Sequence, residues 1–342
     1  MKNIRRYLGL TLLILAAIAM SSCIKENFTE SLEDDRTTNV YLVLNSRVGE
    51  FDDNEDIKTL RLLVIDDNGT INFNRQIKPT SLPNNSVSFT LIGLKMGSGT
   101  KNFYVIANEE SIGLNAADFE SDYAEKKQLK GEWKTILKSL PVDENGVCFY
   151  QQASGIVTYG LPITGYTEDF LLKKDQNNLV EIDIIYAVSK IKMKFVNERL
   201  TEETINELTF KKVESKSGTT LFDSSSSLPI GSNDISFSST INVPGATNDK
   251  AGETSVIFYV YENQKSTEGY SFTARWNNKL QTVDFDDIPF VENDVPKTIT
   301  SLSRGQQLNI TVRLKLGSVE VDDLELEVIP WGTKDVVIPP FN

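Results

Sequence analysis

The stretch Leu308-Asn309-Ile310-Thr311-Val312-Arg313-Leu314-Lys315-Leu316 decides the fold class. Apolar and polar residues alternate through it without a break. A period of two sends successive side chains to opposite faces of a strand, so one face meets a core and the other meets water. The pattern recurs on both sides. Downstream, Leu324-Glu325-Leu326-Glu327-Val328 repeats it; upstream, Ile191, Met193 and Phe195 alternate with Lys190, Lys192 and Lys194. Leu179 to Tyr186, Val256 to Glu262, Tyr270 to Trp276 and Leu280 to Phe285 read as further strands.

Nearer the N-terminus, Val40-Tyr41-Leu42-Val43-Leu44 is a dense apolar strand. Thr59 to Ile65 and Thr70 to Ile77 are joined through Asp66-Asp67-Asn68-Gly69, whose Asn-Gly favours a hairpin turn. Val87 to Leu91 and Phe103 to Ala107 follow. Two segments break the β pattern. Trp133, Ile136, Leu137 and Leu140 keep helical spacing within Ala116 to Leu140. Thr201 to Leu208 reads as a short helix, with Thr201 as N-cap and Glu202 and Glu203 in its first turn. Phe222 to Ser239 is serine-rich and reads as a loop holding a short strand. The chain is therefore mainly β, two β-sandwich domains with a small helical insert in the first, and the polar Lys173 to Asn178 stretch lies near their boundary. Its 342 residues suit two domains.

Composition mostly excludes. The chain has no histidine, which removes Ser-His-Asp and Cys-His catalysis, histidine zinc sites and imidazole acid-base chemistry. A net charge of -13 gives no general attraction to nucleic acid or anionic headgroups. The two cysteines, Cys23 and Cys148, are too few for a disulfide framework. Cys148 has no basic neighbour in sequence to activate it and reads as a buried thiol. Asp52-Asp53-Asn54-Glu55-Asp56 fails as a calcium loop, because Ile57 and Leu63 stand where glycine and glutamate are needed. Asp284, Asp286 and Asp287 read as a solvated turn. Gly97-Ser98-Gly99 lacks the lysine and spacing of a phosphate loop. No pair of carboxylates is singled out for glycosidase work. The expectation is no enzyme, no catalytic residue, no metal and no cofactor.

The first residues set the compartment. Lys2, Arg5 and Arg6 precede an apolar run from Leu8 to Ala19, too short to span a bilayer comfortably. The run ends in Met20-Ser21-Ser22-Cys23, which resembles a lipobox. Residues 1–22 then form a lipoprotein signal peptide, and acylation of Cys23 anchors the precursor in a membrane without a transmembrane helix. The alternative is an ordinary signal peptide with a chance cysteine. Cleavage removes three positive charges, making the exported chain more acidic. Ile24 to Thr38 is a polar, acidic tether, and Lys25-Glu26 resembles the short tags that direct lipoproteins outward across the outer membrane.

Four segments together resemble the fimbrillin family, the subunits of type V pili, made as lipoprotein precursors. Thr38 to Arg47 is a strand ending in arginine ahead of an acidic loop. Phe103-Tyr104-Val105-Ile106-Ala107-Asn108 resembles a first-domain strand of the family. Leu161-Pro162-Ile163-Thr164-Gly165 precedes the strand pair that ends Val188 to Met193. Phe258-Tyr259-Val260-Tyr261-Glu262-Asn263 resembles its second-domain string. At Tyr186 and Ala187 the chain departs from the basic residue many members carry.

The resemblance implies transthyretin-like sandwiches and a division into tether and removable first strand 23–47, N-terminal domain 48–180 and C-terminal domain 181–342 with a donor-strand tail. It implies an Arg-specific processing protease, cutting between Arg47 and Val48 because a cut after Arg36 would leave the apolar strand in place. An ordinary loop arginine is the alternative. Loss of that strand exposes a sheet edge and apolar groove that a neighbouring subunit's C-terminal strand fills head to tail. The donor residues implied are Leu324, Leu326 and Val328, extended by Val336 and Ile338; a closing strand of the second domain is the alternative for the first three. The implied partners are other fimbrial subunits, and the implied location is the cell outer membrane as a lipid-anchored precursor, then an extracellular fimbrium supporting adhesion. An anchor or tip subunit is one competing reading. A surface glycan-binding lipoprotein is another, which exposed coplanar tryptophans would favour and buried ones would oppose.

Overall fold

The computed structural model describes residues 37–46, 57–67, 69–77, 88–112, 149–150, 159–214, 221–222, 228–237, 239–248, 250–276, 279–285, 290–292, 295–314 and 323–330. The expected helical insert at 116–140 lies outside them. The chain opens with β1 (Thr37–Ser46), β2 (Leu60–Asp66), β3 (Ile71–Ile77), β4 (Ser88–Gly97) and β5 (Gly99–Ala107). A single 3-10 turn, Glu109–Ile112, follows, then the short β6 (Phe149–Tyr150), β7 (Ile163–Leu172) and β8 (Asn177–Tyr186).

Seven of these strands bond in the order β3-β2-β5-β7-β8-β1-β4. β7 meets β8 at two positions, Ile163 opposite Tyr186 and Thr164 opposite Ile185. The array folds at this joint into two walls, β3-β2-β5-β7 and β8-β1-β4. Gly165 permits the fold, since a Cβ there would collide with the Asp183 carbonyl oxygen. Val40, Leu42, Leu44, Val180, Ile182 and Ile184 from one wall pack with Leu62, Val64, Phe103 and Val105 from the other.

The second sandwich begins with β9 (Val188–Asn197), β10 (Glu203–Glu214), β11 (Asn233–Phe237), β12 (Ile241–Val243), β13 (Gly252–Tyr261) and β14 (Asn263–Gln264). It continues through β15 (Ser271–Trp276), β16 (Lys279–Asp284), β17 (Phe290–Glu292), β18 (Val295–Lys297), β19 (Ser301–Leu302), β20 (Gln306–Leu314) and β21 (Asp323–Pro330). One sheet runs β21-β20-β9-β13-β6; the other runs β11-β10-β15-β16, with β12 also on β10. Between them Ile191, Phe195, Phe258, Ile310 and Val312 meet Phe210, Phe272 and Trp276. The sequence Phe258-Tyr259-Val260-Tyr261 reads as one apolar run because β13 serves two cores. Phe258 and Val260 enter the second, while Tyr259 and Tyr261 turn into the first.

Two expectations change. Thr201 to Leu208 is no helix: Glu203–Glu214 is a strand. Its pairings slip between Asn206 and Thr209 and again between Phe210 and Glu214, and Glu207 and Lys212 take positive φ of 53° and 57°. The first irregularity adds one residue to β10 and the second adds two, so the buried hydrophobic positions fall at Ile205, Leu208, Phe210 and Val213. Thr201 with Glu202 and Glu203 carries the residues of a capped helix start, but they lead into an irregular strand. A boundary between 180 and 181 would split β8, which runs unbroken from Asn177 to Tyr186 beside β1. The change of sheet comes at Ala187, and of the polar Lys173 to Asn178 stretch only Lys173 to Gln176 is the turn between β7 and β8, while Asn177 and Asn178 open β8.

Candidate functional site

The N-terminal strand is an interior strand of the first sandwich. β1 lies inside its wall, parallel to β8 on one side and antiparallel to β4 on the other. Val40 pairs with Asn178, Leu42 with Val180 and Leu44 with Ile182 across the parallel ladder. On the other edge Val40 faces Leu94 and Leu44 faces Phe89, with an irregularity between Val40 and Leu42. Val40, Leu42 and Leu44 are 0% exposed, while Asn39 on the opposite face is exposed. The alternation Val-x-Leu-x-Leu thus fills a slot in the core with three side chains, while the backbone closes two edges.

The start of β1 is held by polar contacts. Asn178 Nδ2 donates to Thr38 Oγ1 at 2.9 Å, and also approaches the carbonyls of Lys173 at 3.0 Å and Gln176 at 3.1 Å. The Thr38 hydroxyl donates toward the same two carbonyls, at 2.9 and 2.6 Å. Asn178 Oδ1 accepts from the Lys173 amide at 2.8 Å. Thr38 and Asn178 are both buried, so this cluster has little water to substitute for lost partners. β1 ends at Ser46, and Arg47 and Val48 lie outside the described residues, as does Cys23.

At the other end of the chain, β21 is the edge strand of its sheet, antiparallel to β20. Leu324, Leu326 and Val328 sit opposite Val312, Ile310 and Leu308, three buried positions of the second core. Within one chain they occupy the place of a closing strand. Val336 and Ile338 lie outside the described residues.

The two sandwiches are stapled together through Leu221 and Arg304, which the sequence did not single out. The Leu221 carbonyl accepts from Thr164 Oγ1 of the first unit and from Arg304 Nη1 of the second, both at 2.9 Å. Arg304 also pairs with Glu262, and both side chains are buried. Leu221 enters the first core, and Phe222 packs edge-on to Tyr104 and Tyr166 on that unit's outer face. Asn108 and Asn263, which end two of the strings noted in the sequence, are buried as well. Asn108, at φ 59°, accepts from the amides of Lys58 and Thr59 and donates to the Leu161 carbonyl. Asn263 donates to the carbonyls of Val213 and Tyr261 and accepts from Tyr270.

Trp276 is 3% exposed. Its indole N–H donates to Glu203 at 2.7 Å, and the Arg199 guanidinium lies 4.5 Å from the ring centre. Such a ring is core rather than a sugar platform; Trp133 and Trp331 lie outside the described residues. Among the described residues no cluster of three acidic or thiol ligands is placed to hold a metal ion.

No protein-family model matches the sequence, and no curated protein sequence does. Solved structures do resemble the fold. The tip fimbrial protein Mfa3 from Porphyromonas gingivalis, with a C-terminal truncation, aligns at a TM-score of 0.51 and 14% identity, over 85% of this chain and 99% of that one. A fimbrial assembly protein from Parabacteroides distasonis aligns at 0.46 and 14% identity, over 85% and 95%. A fimbrilin (fimA) from Porphyromonas gingivalis W83 aligns at 0.49 and 10% identity, over 86% and 98%. At 14% identity the Mfa3 likeness shows a shared β-sandwich fold.

Proposed function

We propose that the chain is a structural subunit of a cell-surface fimbrium, exported as a lipoprotein anchored through Cys23 and activated by loss of β1. The observation that carries this reading is the position of β1: an N-terminal strand buried between two partners, attached to the remainder only through the segment after Ser46. Cutting between Arg47 and Val48 by an Arg-specific protease severs the covalent link. Departure of the strand leaves β4 and β8 without their shared partner and opens the slot of Val40, Leu42 and Leu44.

Three such side chains bring about 5 to 9 kcal/mol of gross apolar burial, before the cost of ordering a donor. That favours refilling by another chain over an open groove in water. A C-terminal strand carrying Leu324, Leu326 and Val328, extended by Val336 and Ile338, is the donated element, passed head to tail to a neighbouring subunit. The polymer is extracellular and supports adhesion, and the precursor waits at the outer membrane. The fold shared with a fimbrial protein supports this reading. Treating purified precursor with an Arg-specific protease tests it: a new N-terminus at Val48 and a ladder of SDS-resistant oligomers are expected. A single monomer band after complete cleavage would overturn it.

A further inference from the structure

We infer that the slot vacated by β1 selects a strand carrying serine or threonine two residues before its first buried apolar side chain, so that a subunit other than this one fills it. This rests on the proposed replacement of β1 and names the chemistry of the partner. The selecting group is Asn178 with the carbonyls of Lys173 and Gln176. All three converge on the Thr38 hydroxyl, which both donates and accepts there. Among small side chains a hydroxyl combines those roles on a single oxygen, whereas an amide needs two atoms of opposite role spread over a larger group. A carboxylate at that position would be buried against two carbonyl oxygens, with Asn178 as its one side-chain donor in the cluster.

This chain's own C-terminal strand does not meet the requirement. Placing Leu324, Leu326 and Val328 on the positions of Val40, Leu42 and Leu44 brings Asp322 to the place of Thr38. Running the strand the other way brings Pro330 there, which has neither hydroxyl nor N–H. No placement of both Val336 and Ile338 on two of these buried positions brings a serine or threonine there either. The chain therefore donates to one kind of groove and accepts from another kind of strand, which places it at a junction between unlike subunits.

The test uses the full exported chain, Cys23→Ser, with a site-specific protease sequence inserted between Arg47 and Val48. After cleavage, labelled peptides compete with the resident strand, and uptake is read by native mass spectrometry. Peptides copying Thr37 to Ser46, natural and with Thr38→Ser, are expected to enter. The Thr38→Asp copy and a copy of Val321 to Pro330 are expected to enter at least tenfold less, and Asp322→Thr in the latter to restore uptake. Equal uptake of the Thr38→Asp copy, or of the unaltered 321–330 copy, overturns the selection. Uptake of no peptide at all overturns strand replacement itself, and this inference with it.

Discussion

Leu42 lies directly opposite Val180 in parallel register, and both side chains are fully buried. The pairing joins the first strand of its sandwich to the last, so β1 can only be seated once β8 is in place. Contacts this distant in sequence close late and at high entropic cost. A strand seated in this way can also leave without unthreading the rest of the sandwich.

Leu42→Ala should lower the stability of the uncut precursor by about 2 to 5 kcal/mol, the range for deleting a well-packed leucine. Chemical denaturation of both proteins measures it. Tyr41→Ala, on the half-buried outer face of the same strand, should cost much less. Equal effects would mean that the slot contributes no special burial.

The Arg304–Glu262 pair should couple the sandwiches. Glu262→Gln leaves a buried guanidinium without its counter-charge, a change expected to cost about 3 to 5 kcal/mol. Replacing both residues with apolar ones of similar size should recover much of that loss. Calorimetry should also show one transition for the natural chain and a split toward two in the Glu262→Gln variant.

Asp169 stands in a bulge of β7 at φ 55°, with its side chain exposed. A left-handed conformation costs a non-glycine residue about 1 kcal/mol. Asp169→Gly should therefore raise stability slightly, by less than about 1 kcal/mol, while Asp169→Val should lower it by more. Thermal denaturation of the two variants decides the sign.

Asp234 gives a small acid-side dependence. Burial raises its pKa, but the hydrogen bond and charge of Lys211, with the Lys212 amide and charge, outweigh it and hold the carboxyl below its usual value. A depressed carboxylate pKa adds stability that is complete above the unfolded pKa of about 3.9 and fades as pH falls through the folded value. The pair is more than a third exposed, so screening limits the contribution to well under about 1 kcal/mol. Asp234→Asn should be slightly less stable than the natural protein at pH 7, and the gap should close on acidification.

Period-two alternation made most strands legible, and Leu308 to Leu314 read correctly because one face meets a core; Lys190 to Val196 is a strand as read, but Lys190, expected on its solvent face, is buried. Glu203–Glu214 did not, since Thr201, Glu202 and Glu203 look like a capped helix start and two irregularities break the alternation of the strand behind them. Ile163–Leu172 escaped notice because the joint at Gly165 and the bulge at Asp169 leave it no alternation to read. Val40, Leu42 and Leu44 were visible as an apolar strand, but only their register against β8 places them inside a wall. The Thr38–Asn178 contact spans 140 residues of sequence, and nothing local in the chain announces it. The Leu221 staple is hidden for the same reason.

The most direct test is hydrogen–deuterium exchange in β4 and β8, followed before cleavage, after cleavage and after assembly. The account predicts that amides facing β1 are protected in the precursor, lose protection once the strand departs, and regain it in polymers, while β2 and β5 stay protected throughout. Unchanged protection of β8 in cleaved, monomeric protein from which residues 37–46 have been lost would contradict it.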